Sequence, residues 1–213
     1  MPSRGTLSER QVALAQAFFR NQPEGFFLTG GAVLAGWELA HRATDDLDLF
    51  TGNATDMGLG EQALRRAADE LGASLEAIST SPDFRRFVVR FAGESVKVDL
   101  VRDHAPQLFP KVERDGVRMD SAEEIFVNKI CTLVERSEPR DLVDVMLLER
   151  RGLRVETSLA RAQEKDAGVS PATLAWLLRS LPIPAEPPGG VTADDLRAYA
   201  VSLEGRLLVL ARA

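Results

Sequence analysis

Residues 42–50 read Arg42-Ala43-Thr44-Asp45-Asp46-Leu47-Asp48-Leu49-Phe50. From Asp46 onward polar and apolar residues alternate with period two, the pattern of a strand with one buried face. Leu47 and Leu49 then point into a core, while Asp46 and Asp48 project together from the opposite side. Two carboxylates on one face of an apolar strand repel each other, and a divalent cation removes that cost directly. A solvated strand edge with acidic decoration is the other reading of an isolated Asp-x-Asp pair.

The flanking segments add to the pair. Upstream, Phe26 to Thr29 reads as a short buried strand, Gly30 and Gly31 as a turn, and Ala32 to His41 as a helix. Glycines at that junction let backbone N–H groups approach a phosphate, although a tight turn alone would also use them. Downstream, Glu61 to Leu71 is helical in pattern and Ser74 to Ser79 strand-like. Phe84 to Phe91 and Val96 to Val101 alternate as two strands joined across Gly93 and Glu94. That turn predicts Phe87, Val89 and Phe91 opposite Leu100, Val98 and Val96 on a core face. Arg86, Val88 and Arg90 share the other face with Lys97 and Asp99. Asp99 becomes a third candidate metal-ligating carboxylate, and Arg86, Arg90 and Lys97 are candidate phosphate ligands.

At the N-terminus Thr6 to Glu9 has capping-box spacing and opens a helical pattern that runs to about Arg20, before a break from Asn21 to Gly25. After Ser121 the alternation gives way to helical periodicity, with Phe126, Ile130, Leu133 and Val134 on one face. Ser137-Glu138-Pro139 marks a new helix start, and further helices are expected over Ser158 to Lys165, Ala172 to Ser180 and Ala193 to Ala211. Pro182 to Gly190 is too proline-rich for a helix. The expected class is α+β, with an α/β domain over residues 1–120 and a helical lobe over residues 121–213.

Composition bounds the chemistry. With 213 residues and 45% hydrophobic content there is enough chain for a well-packed core. One cysteine, Cys131, excludes an intramolecular disulfide and a Cys-based zinc cluster, and two histidines leave little for a His-built site. Any metal should be hard and oxygen-bound. The formal charge of −6 argues against coating nucleic acid by bulk electrostatics, although arginines cluster at Arg65/Arg66, Arg85/Arg86 and Arg150/Arg151. No apolar run reaches membrane-spanning length and none resembles a signal h-region, so a soluble cytoplasmic protein is expected.

In order, Gly30-Gly31, Arg42 to Leu49 and Val96-Lys97-Val98-Asp99 resemble the DNA polymerase β-like nucleotidyltransferase superfamily. Glu124-Ile125-Phe126-Val127-Asn128-Lys129-Ile130, Glu135-Arg136 and Arg140-Asp141-Leu142-Val143-Asp144 are similar to the lysine-bearing helix and RDxxD motif of the AbiEii/AbiGii toxin family. The resemblance covers residues 26–150. It implies a polymerase β-like core with a small mixed sheet and a helical C-terminal lobe. It also implies transfer of a nucleotide from a nucleoside triphosphate, a cognate antitoxin as partner, and, as in some members, tRNA as acceptor. By resemblance Asp46, Asp48 and Asp99 are the catalytic carboxylates holding Mg2+ or Mn2+, Gly30 and Gly31 the phosphate turn, Lys129 a further catalytic residue, and Asp141 and Asp144 nucleotide-binding residues. The residue after Gly30 is glycine where the superfamily commonly has serine, so backbone donors must replace a hydroxyl.

The helical motifs also have a reading of their own. Asp141, Asp144, Val145 and Leu148 fall on one helical face, and buried acids there need Lys129 or Arg140 as partners. A salt bridge between helices and a direct nucleotide contact both satisfy that pattern. His41 and His104 read as surface or helix-end residues, Cys131 as packing, and Trp37 and Trp176 as core. A protein or small-molecule acceptor is the enzymatic alternative to RNA, and a catalytically silent nucleotide-binding module the non-enzymatic one.

Overall fold

The computed structural model describes residues 6–21, 25–38 and 42–212. It contains two compact units, Met1–His104 with Pro110–Ser121, and Ala105–Phe109 with Ala122–Ala213.

The first unit opens with helix α1, Glu9–Asn21. Its reciprocal cap lies two residues later than the sequence suggests. The Ser8 amide donates to Gln11 Oε1 at 2.8 Å and the Gln11 amide donates to Ser8 Oγ at 3.1 Å. Thr6, expected to be the cap, instead donates its hydroxyl to the carbonyl of Arg42. Gln11 Nε2 donates to the Thr44 carbonyl at 2.7 Å, so the start of α1 fastens the segment that leads into the acidic strand.

The strands follow as β1 Phe26–Thr29, β2 Asp46–Thr51, β3 Ser74–Thr80, β4 Phe84–Phe91, β5 Glu94–Arg102, β6 Val112–Arg114 and β7 Val117–Met119. Among the described residues they form one sheet in the order β3-β4-β5-β2-β1-β7-β6. β2 runs parallel to β5 and β1 parallel to β7, and the other neighbours are antiparallel, so the sheet is mixed. Between β1 and β2 a short helix α2, Gly30–Val33, continues as a wider π turn over Leu34–Glu38. The helix expected over Ala32 to His41 is thus in part this widened turn, and Leu39, Ala40 and His41 lie outside the described residues. Helix α3 spans Asp56–Glu70.

One face of the sheet is apolar: Phe26, Leu28, Leu47, Leu49, Phe87, Val89, Val98 and Leu100 are all buried. Each such side chain contributes about 1.5–3 kcal/mol on burial. The ring of Phe18 on α1 meets Phe26 edge to face at 5.6 Å. On α3, a Cβ at Gly60 would lie 2.5 Å from the Phe26 ring, so that helix reaches the sheet only with glycine at this position. With this face filled, Asp46, Asp48, Arg86, Lys97 and Asp99 of the same strands are left on the other.

Two turns depart from expectation. The β4–β5 hairpin turns at Ala92 and Gly93, with Phe91 opposite Glu94 and Phe87 opposite Val98, because the left-handed position falls on Gly93 (φ 86°) at the second turn residue. Every residue keeps its face but moves two places along its partner. The β6–β7 hairpin went unread, although Asp115 and Gly116, both left-handed (φ 55° and 76°), are a strong turn signal.

The second unit is helical: α4 Ala122–Arg136, α5 Pro139–Arg150, α6 Val155–Lys165, α7 Pro171–Ser180 and α8 Ala193–Leu210. Its segment Ala105–Phe109 is held because the amides of Leu108 and Phe109 donate to Glu124 Oε2 at 2.9 and 2.7 Å. Cys131 is buried on α4 and desolvation pushes its thiol up to about 11, which suits packing. Trp176 is 68% exposed and so is not the core residue its helical context suggested. His104 is exposed beside Asp83. Among the described residues no helix is long and apolar enough to cross a membrane.

Candidate active site

The strand registers align the polar face. Thr29 of β1 lies opposite Asp48 of β2, Asp48 opposite Asp99 of β5, and Asp99 opposite Arg86 of β4. Four polar side chains therefore stand in one row across four strands. Asp46 stands opposite Lys97 in the adjacent row on the same face. Asp46 and Asp48 are half-buried and Asp99 is 5% exposed.

Arg86 grips Asp99 with both arms of its guanidinium, Nε to Oδ1 at 2.8 Å and Nη2 to Oδ2 at 2.6 Å. The hydrogen bond to Asp99 is the main cause that raises the Arg86 pKa above its ordinary value, and the charges of Asp99, Asp46 and Asp48 add to it. The expected hairpin register would have set Arg86 opposite Val101; the observed one sets it opposite Asp99. Arg90 is not drawn into this row. Its Nε and Nη2 donate to Glu76 Oε2 at 2.9 and 2.6 Å, a partner on β3 that reading β4 and β5 as an isolated hairpin could not supply. Lys97 is exposed.

The glycine pair packs against the acidic strand. Gly30 is left-handed (φ 65°), and a Cβ there would sit 2.8 Å from Asp48 Oδ2. At Gly31 a Cβ would sit 3.1 Å from Thr44 Oγ1 and 3.3 Å from Arg42 Nη2. Thr44 in turn donates its hydroxyl to Asp46 Oδ1 at 2.8 Å.

Just before the glycines, Thr29 makes no side-chain cap for α2, because its hydroxyl donates to the buried carboxylate of Asp120. The Asp120 amide donates to the Leu28 carbonyl at 2.9 Å, and Lys111 pairs with the Asp120 carboxylate while lying 3.8 Å from the centre of the Phe27 ring. Thr29, Thr44, Lys111 and Asp120 were all missed in the sequence. Thr44 alone carried a local signal, two residues before Asp46.

The donor chemistry fits a hard divalent cation. The carboxylates of Asp46, Asp48 and Asp99 share one face, and the Gly30 recess, which a Cβ would fill, adjoins Asp48. Among the described residues no three His, Cys, Asp or Glu side chains are gathered closely enough to hold one ion. Arg86 takes both oxygens of Asp99.

Within the helical unit, Lys129 on α4 stands 2.8 Å from Asp141 Oδ1 and 2.8 Å from Asp144 Oδ2 on α5. Arg136 adds two 2.8 Å bonds to Asp141. Both acids are fully buried, and their arrangement is that of an internal ion network between two helices. Burial raises the Asp141 pKa, but the bonds from Arg136 and Lys129 outweigh it, and the net shift is downward. Arg140, the expected alternative partner, pairs with Glu138 instead.

A crystal structure of an inferred nucleotidyltransferase from H. pylori superposes with a TM-score of 0.57 at 19% identity, covering 96% of this chain and 99% of that one. JHP933 from Helicobacter pylori superposes with a TM-score of 0.55 at 18% identity, covering 97% of each chain. Both are likenesses of fold, and the mixed sheet with its helices is consistent with a polymerase β-like core. No curated protein matches. The family model described as nucleotidyl transferase AbiEii toxin, Type IV TA system, matches residues 12–203, which is nearly the whole chain. The chain belongs to the AbiEii nucleotidyl transferase toxin family and is a nucleotidyltransferase.

Proposed function

We propose that the protein transfers a nucleoside monophosphate from a nucleoside triphosphate to an RNA acceptor, with tRNA first among candidates, as the toxin of a toxin–antitoxin pair. The observation that carries the reading is the register that sets Asp48 beside Asp99 with Gly30 shaped around the Asp48 carboxylate. An acceptor hydroxyl attacks the α-phosphorus, a new P–O bond forms, and the bond to the β-phosphate breaks to release pyrophosphate. Catalysis of such a transfer rests on positioning and on neutralising charge that develops in the transition state.

Asp46 and Asp48 would hold a Mg2+ or Mn2+ ion, and Asp99, now gripped by Arg86, would be the third carboxylate available to it. Such an ion would supply charge neutralisation at the triphosphate. On this reading Asp99, once released by Arg86, takes the proton of the attacking hydroxyl, and Arg86 receives an anionic oxygen. Lys97, exposed beside Asp46, faces the same substrate. Gly30 and Gly31 let the backbone approach phosphate. Lys129, Asp141 and Asp144 serve by ordering the α4–α5 pair. The family supports an antitoxin as partner.

The test is incubation of purified protein with each α-phosphate-labelled nucleotide, Mg2+ or Mn2+ and total tRNA, beside Asp48→Asn. Label is expected on RNA with the native protein, at least about 100-fold less with Asp48→Asn, and the same circular dichroism for both. Undiminished labelling by Asp48→Asn sinks the assignment. Labelling of protein or small molecules alone replaces the RNA acceptor.

A further inference from the structure

Helix α8 is apolar on two sides. Leu196, Ala200, Leu203 and Leu207 are buried within the helical unit. With about 3.6 residues per turn the opposite side carries Asp194, Ala198, Val201, Gly205, Leu208 and Arg212. The chain keeps its helical path past Leu210, since the Arg212 amide donates to the Val209 carbonyl at 3.3 Å. Val201 is 68% exposed and Val209 69%. A helix that is hydrophobic all round belongs in an interior, and one packed side does not provide that here. Gly205 is a separate observation. It is not left-handed, and nothing lies within 4 Å of where its Cβ would stand. Glycine is the poorest helix former after proline, and no described residue crowds this position into needing it. Close approach of a second backbone does need it.

The order of residues along this side identifies the partner. Turned end for end about the level of residue 203, the face is complementary to itself: Asp194 comes level with Arg212, Val201 with Gly205, and Ala198 with Leu208 and the adjoining Val209. Acid meets base at both ends, and a larger side chain meets a smaller one between them. Such self-complementarity is what a two-fold dimer requires, whereas an unrelated partner imposes no symmetry on the surface it meets. Exposed Trp176 lies one turn before Arg179 on α7, and Arg179 Nε donates to Glu204 of α8 at 2.9 Å, so the indole flanks this face and adds apolar area. We infer that two copies of this chain associate through α8, antiparallel about a two-fold axis at the level of residue 203, with Val201 of each copy seated over Gly205 of the other. The inference is independent of the nucleotide chemistry.

Sedimentation velocity over a concentration series of the full chain tests it, with every variant checked by thermal melting. An interface of one helix pair and its flank is small, and the native dimer is expected to dissociate with a Kd on the order of 10 µM. Val201→Glu, which sets two carboxylates near the axis, should weaken it at least about 100-fold. Gly205→Leu holds the backbones apart yet favours the helix, so it should weaken the dimer at least about 10-fold at an unchanged or raised melting temperature. Asp194→Arg and Arg212→Asp each set like charges level at both ends and should weaken it roughly 10-fold. Both changes in one chain should restore native association, which destabilisation of the helix ends cannot do because the combination compounds it. A native chain still monomeric at about 500 µM, a dimer that survives both Val201→Glu and Gly205→Leu, or a double charge reversal no tighter than the single ones overturns the inference.

Discussion

Gly30 concentrates two demands on one residue. Its φ of 65° costs any L side chain about 1–2 kcal/mol, and the Asp48 carboxylate fills the space a methyl would need. Gly30→Ala is therefore expected to lower unfolding free energy by about 1–2 kcal/mol in urea titrations and to cut transfer by more than the unfolded fraction explains, because the methyl displaces Asp48. Retained activity with lowered stability would separate the backbone demand from the catalytic one. Arg86 shows how one contact sets the state of a site: with both guanidinium arms on Asp99, that carboxylate is answered by a side chain.

At the scale of elements, the pairing of α4 with α5 depends on charge held out of water. Lys129 spans Asp141 and Asp144, and Arg136 completes Asp141. Removing one partner of a buried network costs about 3–5 kcal/mol; Asp141→Asn should fall near the low end, since the 39% exposed Arg136 can turn to solvent. The folded pKa of Asp141 is depressed, so its stabilisation is fully present above the ordinary carboxylate value near about 4 and is lost as pH falls through the lower folded value. Denaturation midpoints followed downward from neutral pH should show that acid loss in the native chain and less of it in Asp141→Asn. An unchanged acid limb would remove Asp141 from the account. A similar logic holds for Glu149, whose carboxylate is held ionised against burial by Arg206, the Val155 amide and Tyr199.

For the whole molecule the question is the acceptor. A chain of formal charge −6 cannot gather RNA through its overall field, so any RNA contact must come from local cations such as Arg86 and Lys97. Those contacts release counterions. With about three phosphate contacts to single-stranded RNA, acceptor affinity should fall roughly 20-fold between about 50 and 200 mM salt, read as the salt dependence of labelling at subsaturating RNA. A flat response would point to a protein or small-molecule acceptor.

Sequence alone determined the strand Asp46 to Phe50, the sharing of one face by Asp46 and Asp48, and the change from sheet to helix after Ser121, because alternation at period two and recurrence at 3.6 are written residue by residue. It also assigned Asp99 and Arg86 to one face, which a two-residue register slip does not change. Tertiary structure decided which residues on that face meet. Arg86 grips Asp99 because the hairpin turns at Ala92 and Gly93, and Arg90 turns to Glu76 because β3 lies alongside β4. Thr29, Asp120 and Lys111 come together because β1 and β7 are neighbours in space. Arg42 and Asp48 flank the two glycines because α1 holds the intervening segment in place. Periodicity reports the direction a side chain takes from its own backbone, whereas a contact between distant segments depends on turn geometry and strand order, which no local pattern encodes.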